Sequence, residues 1–165
     1  MATEGVRSGS RNLLPAFLSL LLVAAAGALG FLATIPNIAP WYNGLEKPSF
    51  NPPNAIFGPV WTALYLLMAF AFWRVLRTPP ETPGRRPAIV LFLAQLALNP
   101  LWSFLFFADR SPLMGMVDIV PQWLLIAATI AAFWPLDRLA ALALVPLAAW
   151  VGFATVLNFA IWRLN

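Results

Sequence analysis

Apolar residues fall into five long blocks separated by short polar stretches. The first block, 13–35, carries no charge. At about 1.5 Å per residue it reaches roughly 34 Å, enough for a hydrocarbon core of about 30 Å. Arg7 and Arg11 precede it, but the block is longer than the apolar core of a secretory leader, so it reads as a span. The other blocks predict helices over about 55–77, 88–108, 112–134 and 138–164. Residues 78–87 (TPPETPGRRP) form a polar turn, Ser111-Pro112 is a helix start, and Pro135, Leu136 and Asp137 close the fourth block. The expected fold class is all-α, an integral membrane five-transmembrane-helix bundle over 13–165. A flexible tail, 1–12, precedes it, and a long loop, 36–54, joins the first two helices.

Composition agrees with a membrane protein: of 165 residues, 61% are hydrophobic and 10% charged. The chain has no cysteine and no histidine, which excludes disulfides, thiolate and imidazole chemistry and ordinary zinc sites. The net charge of +4 lies in tails and loops. No basic stripe interleaves with aromatics, so no nucleic-acid partner is expected. Arg7, Arg11, Arg74, Arg77, Arg85, Arg86 and Arg138 fall on one side of the membrane, and Lys47, Arg110 and Arg163 on the other. That bias predicts a cytoplasmic N-terminus and an outward-facing first loop.

The first loop and the start of the second helix form the most distinctive stretch, Trp41 to Tyr65. Pro48, Pro52 and Pro53 stiffen the loop. Trp41, Tyr42 and Phe50 offer flat rings suited to a flat apolar ligand. Trp61 and Tyr65 are four apart and share a helix face. The stretch reads as a rigid lid over an aromatic pocket.

Pro59, Pro100, Pro121 and Pro146 each interrupt one of helices 2 to 5. Residues 58–67 (GPVWTALYLL) echo 99–108 (NPLWSFLFFA), aligning Trp61 with Trp102 and Thr62 with Ser103. Few strongly polar side chains lie within the spans: Gln95, Asn99, Asp118, Gln122 and Asn158. Such groups usually face a bundle interior. Gln95, Gln122 and Asn158 read as interhelical hydrogen-bond glue. Asn99, beside Pro100 and one turn from Trp102, reads as pocket lining. For Asp118, the sole acid in any span, a structural and a proton-related role both stay open, and it is counted among the ligand-binding candidates. Trp134 and Trp162 suit the membrane interface. Trp61, Trp102, Trp123 and Trp150 lie deeper, and Trp61, Trp102 and Trp150, which share faces with the polar residues or the lid, predict an inward aromatic box. Ala26, Gly27 and Gly30 allow close approach of another helix to helix 1.

Four separated motifs carry a resemblance: WY-x-x-L-x-KP-x-F-x-PP at 41–53, GPVWTALY at 58–65, N-x-x-W at 99–102 and ATVLNFAIWRLN at 154–165. In order and spacing the chain resembles the TspO/MBR family of tryptophan-rich sensory and translocator proteins, also known as the peripheral benzodiazepine receptor family. The resemblance implies a five-helix membrane protein that assembles as a homodimer. It implies ligands such as protoporphyrin IX, other tetrapyrroles and drug-like apolar molecules, with porphyrin as ligand and no cofactor. Trp61, Asn99, Trp102, Trp150 and Ala154 match its pocket positions, and 41–53 matches the covering segment. Met114 stands where animal members carry a pocket tryptophan and is counted with Asp118 among the ligand-binding candidates. Phe159 replaces the tyrosine of a cholesterol-recognition pattern, so no cholesterol binding is expected.

The expected activity is binding and sensing of porphyrins, with light-dependent porphyrin breakdown and transport as alternatives. The chain has no conventional catalytic set. Breakdown would take its chemistry from the excited ligand. Transport by alternating access usually leaves repeat symmetry, and the 58–67/99–108 echo is too short for that.

Overall fold

The computed structural model describes the backbone of residues 4–165, and side chains from residue 13 onward. It is all-helical: α1 (Glu4–Ile38), α2 (Asn54–Leu76), α3 (Arg85–Ser103), α4 (Pro112–Phe133), α5 (Arg138–Ala143) and α6 (Val145–Leu164). Together they make five spans: Leu13–Ile38, Asn54–Leu76, Arg85–Ala108, Pro112–Phe133 and Arg138–Leu164. The protein is therefore a five-span membrane bundle. Of the stretch expected as a tail, residues 1–3 lie outside the described residues, and 4–12 continue the backbone of α1.

Two departures from the expected helices have local causes. The fifth span is two helices, because Pro146 has no amide hydrogen to continue the ladder. The break falls at Leu144, whose amide donates to Ala141 O at 3.1 Å in a tighter turn. The end of α3 widens into a π turn over Phe104–Ala108. There the Asp109 amide reaches back five residues to Phe104 O at 2.8 Å. Ser111 caps α4 as expected, its Oγ accepting from the Met114 amide at 3.2 Å.

The spans close a ring in the order α1, α2, α5/α6, α4, α3 and back to α1. Three small residues of α1, Ala26, Gly27 and Gly30, pack within this ring. Ala26 is buried. A Cβ on Gly27 would meet the Tyr65 ring at 3.0 Å, and one on Gly30 would meet Ser103 Oγ at 3.3 Å. Ala26, Gly27 and Gly30 seat α1 against α2 and α3 of the same chain.

At the end opposite the first loop, the ring is filled. Phe72 and Phe92 stack with centroids 4.3 Å apart, and Phe92 and Phe133 at 5.9 Å. Arg74 of α2 binds Asp137, the N-cap of α5, at 2.6 Å. Burial opposes charge on Asp137. Hydrogen bonds from the Ala140 amide and from Arg74 outweigh burial and hold its carboxyl below the usual carboxylate range.

Candidate functional site

At the first-loop end, α2 and α6 diverge. Phe57 of α2 meets Trp150 of α6 edge-on at 5.8 Å and bridges the two. The space left is a cavity of about 850 Å³, walled by α1, the first half of α2, the end of α3 and α6. Trp61, Tyr65, Trp102 and Trp150 line it, with Asn99 and Ala154. Leu20, Phe31, Ile35 and Leu66 also line it while exposed on the bundle's outer surface. The cavity is therefore open towards the bilayer between α1 and α2.

Each ring is held. Trp61 lies 5.4 Å from Tyr65. The Tyr65 hydroxyl donates to Asn99 Oδ1 at 2.7 Å. The Trp102 indole N–H donates to Asn158 Oδ1 at 3.0 Å, and Asn158 Nδ2 donates to Pro112 O at 2.7 Å. Gly115 makes room for this knot: a Cβ there would fall 2.7 Å from Asn158 Oδ1 and 2.9 Å from Phe106. The hydroxyls of Thr34 and Thr62 donate to carbonyls one turn earlier, at 2.8 Å and 2.9 Å. The walls are thus mostly apolar, with few polar groups left to face a ligand.

The first loop contributes less than the sequence predicts. Of its three rings only Tyr42 lines the cavity. Its hydroxyl donates to Asn51 Oδ1 at 3.2 Å, and burial pushes the phenol above its ordinary range, so it stays neutral. Trp41 stands behind the wall, edge-on to Phe106 at 5.4 Å and Phe107 at 6.2 Å. Phe50 is exposed and touches Phe153 at 6.4 Å, one ring removed from Trp150. Asn165 clamps the loop: its Oδ1 accepts from the Glu46 amide and its Nδ2 donates to Glu46 O, both at 3.0 Å.

Met114 and Asp118 also lie outside the lining. Met114 is exposed near the start of α4, and Asp118 is buried deeper in α4. Trp123 faces outward, its N–H donating to Ala148 O at 3.0 Å. The sequence reading missed Phe57, Phe106, Phe107 and Asn158 as cavity residues. For Phe106 the available signal was the 58–67/99–108 echo. It aligned Trp61 with Trp102 and Thr62 with Ser103, all of which do line the cavity.

A family profile described as the TspO/MBR family matches residues 19–163. The chain is 43% identical over 157 residues to the tryptophan-rich protein TspO of Chlorobaculum tepidum, spanning 94% of this chain and 99% of that one. It is 38% identical over 148 residues to the tryptophan-rich sensory protein of Cereibacter sphaeroides, spanning 90% and 91%. It is 40% identical over 129 residues to the human translocator protein, spanning 76% and 75%. The likeness runs through all five spans and through every wall of the cavity, and on that ground the chain belongs to the TspO/MBR family.

Proposed function

We propose that the chain is a membrane receptor for flat apolar ligands of the protoporphyrin IX type, and that it senses or regulates the level of such tetrapyrroles. The observation that carries this reading is the cavity itself. About 850 Å³ lies between three indoles, those of Trp61, Trp102 and Trp150, and the Tyr65 ring. This volume falls in the upper part of the range for small-molecule sites, about 300–1,000 Å³. Offset stacking on rings of this kind favours a planar π system. The polar edge of such a ligand belongs at the loop end, where Asn54 lines the mouth.

The names of the relatives, tryptophan-rich sensory protein and translocator protein, agree with a small-molecule receptor in a membrane. The filled half of the bundle favours binding over passage, since it stands between the cavity and the far side. A homodimer belongs to the same proposal. It would use outward apolar faces, because Ala26, Gly27 and Gly30 are occupied within the chain.

The test is a titration of purified protein in nanodiscs with protoporphyrin IX, read by tryptophan fluorescence. Saturable quenching is expected. Trp61→Ala with Trp150→Ala is the better double variant, because Trp102 also holds Asn158. Wild-type affinity in that variant would rule this cavity out as the site.

A further inference from the structure

Behind the cavity wall, the α3/α4 seam holds three polar side chains that the receptor reading does not use. Gln95 is 0% exposed, Gln122 2% and Asp118 5%. Four of their atoms have no hydrogen-bond partner among the described residues: Gln95 Oε1, Gln95 Nε2, Asp118 Oδ2 and Gln122 Nε2. Buried polar atoms are nearly always paired, and an ionisable group within a span is expensive to keep. Four unpaired atoms on two adjacent helices therefore need a reason.

The helical register places them together. The two helices are antiparallel across the turn at 109–111, and Gly115 faces Trp102, with a Cβ there 3.2 Å from the indole nitrogen. One turn deeper along each helix brings Asp118 level with Asn99. A further turn brings Gln122 level with Gln95. Asn99 lines the cavity and accepts the Tyr65 hydroxyl. The polar groups thus run from Tyr65 through Asn99 to Asp118, with the two glutamines beyond.

The charged groups on elements packed against α4 all sit at the ends of the bundle. They are Arg85 and Arg86 on α3, Asp109 and Arg110 in the turn, Arg138 on α5 and Arg163 on α6. Across the ring, Arg74 is paired with Asp137. Tyr65 is the titratable group nearest in the polar series. With no cation at hand, a bare carboxylate at Asp118 would cost several kcal/mol. A neutral carboxyl has an O–H to donate, and the glutamine amides can both donate and accept. Two amides and one acid suit a proton, with water, better than a hard cation that needs six or more oxygens.

We propose that Asp118, flanked by Gln122 and Gln95, is an intramembrane proton site linked to the ligand cavity through Asn99 and Tyr65. The acid carries its proton in the empty protein. Asn99 accepts the Tyr65 hydroxyl and stands one helical register from the unpaired Asp118, so a ligand that engages that hydroxyl frees Asn99 to turn towards the acid. The site itself is independent of the ligand; the link rests on the receptor reading above.

Infrared spectroscopy with ¹³C-labelled aspartate tests both parts, because the chain has only Asp109, Asp118 and Asp137 to label. Near neutral pH, wild type should show one isotope-shifted carbonyl band of a protonated carboxyl. The band should be absent in Asp118→Asn. Saturation with protoporphyrin IX should move it in wild type and leave it in place in Tyr65→Phe. A wild-type spectrum with no protonated aspartic acid would overturn the site, with no need for any variant to fold. A band that stays put while tryptophan quenching reports bound porphyrin would overturn the link. Absence of quenching with the band present would instead fail the receptor reading, and the link with it, and leave the proton site standing.

Discussion

The two ends of the bundle use aromatic rings in opposite ways. At the end away from the first loop, Phe72, Phe92 and Phe133 lie nearly parallel, with interplanar angles of 8° and 16°, and fill the ring of helices. At the loop end, Phe57 meets Trp150 at 72°, and both rings line an open cavity. Both geometries are favourable; the contrast lies in the surroundings, buried packing around the phenylalanines and open space beside Phe57 and Trp150. The ion pair Arg74–Asp137 pins α2 to α5 at the filled end, and among the described residues no second ion pair joins α2 to α6 at the hollow end. Membrane helices gain little from hydrophobicity against each other, since lipid tails are equally apolar. Fit between side chains therefore decides where the bundle is solid and where it stays open.

That contrast predicts separable losses. The largest should come at the hollow end. Trp61→Ala with Trp150→Ala should weaken porphyrin binding about a hundredfold, roughly 2.8 kcal/mol, while moving the melting temperature little. A large melting shift with intact binding would show that these rings are packing, not receptor. Next comes Phe92→Ala at the filled end. Roughly 100 Å³ of new void at roughly 24 cal/mol per Å³ costs on the order of 2 kcal/mol of stability. Binding should be nearly unchanged, as thermal unfolding beside a porphyrin titration would reveal.

Smaller effects belong to the ties at each end. Asp137 is held below its ordinary range in the fold, so its stabilisation is present above the unfolded value of about 3.9 and fades as pH falls through its lower folded value. Asp137→Asn should flatten that acid limb of a stability–pH curve, by about 1 kcal/mol or less for a partly exposed pair. An unchanged limb would assign the acid sensitivity elsewhere. The smallest effect should follow Asn165→Ala, which frees the Glu46 backbone. Amide exchange across 42–51 should quicken severalfold with the bundle unaltered. Unchanged exchange would mean that the Tyr42–Asn51 hydrogen bond holds the loop without the clamp.

Much of the site was legible because its chemistry is unusual for a bilayer. Trp61, Tyr65, Asn99, Trp102, Trp150 and Ala154 all face one space, as their spacing and the family resemblance had implied. Trp41, Phe50, Met114 and Asp118 were grouped with them on residue type and motif position, and they stand elsewhere. Asn158 was assigned to glue alone; it is glue and wall at once, holding Trp102 while lining the cavity. Ring type marks a side chain as able to line a pocket. It does not say which way the helix turns that ring.

The chain by itself determined the spans, their order, the side of the membrane each basic residue shares, and the family. Those follow from length, apolarity and motif spacing, which survive without coordinates. Only the tertiary structure decided which face of each span looks inward. In water the polar face of a helix announces itself; in lipid both faces are apolar, so periodicity is nearly silent. The inward turn of Gly27 and Gly30, the π turn that carries Phe106 and Phe107, and the approach of Gly115 to Trp102 were all settled by contacts between helices.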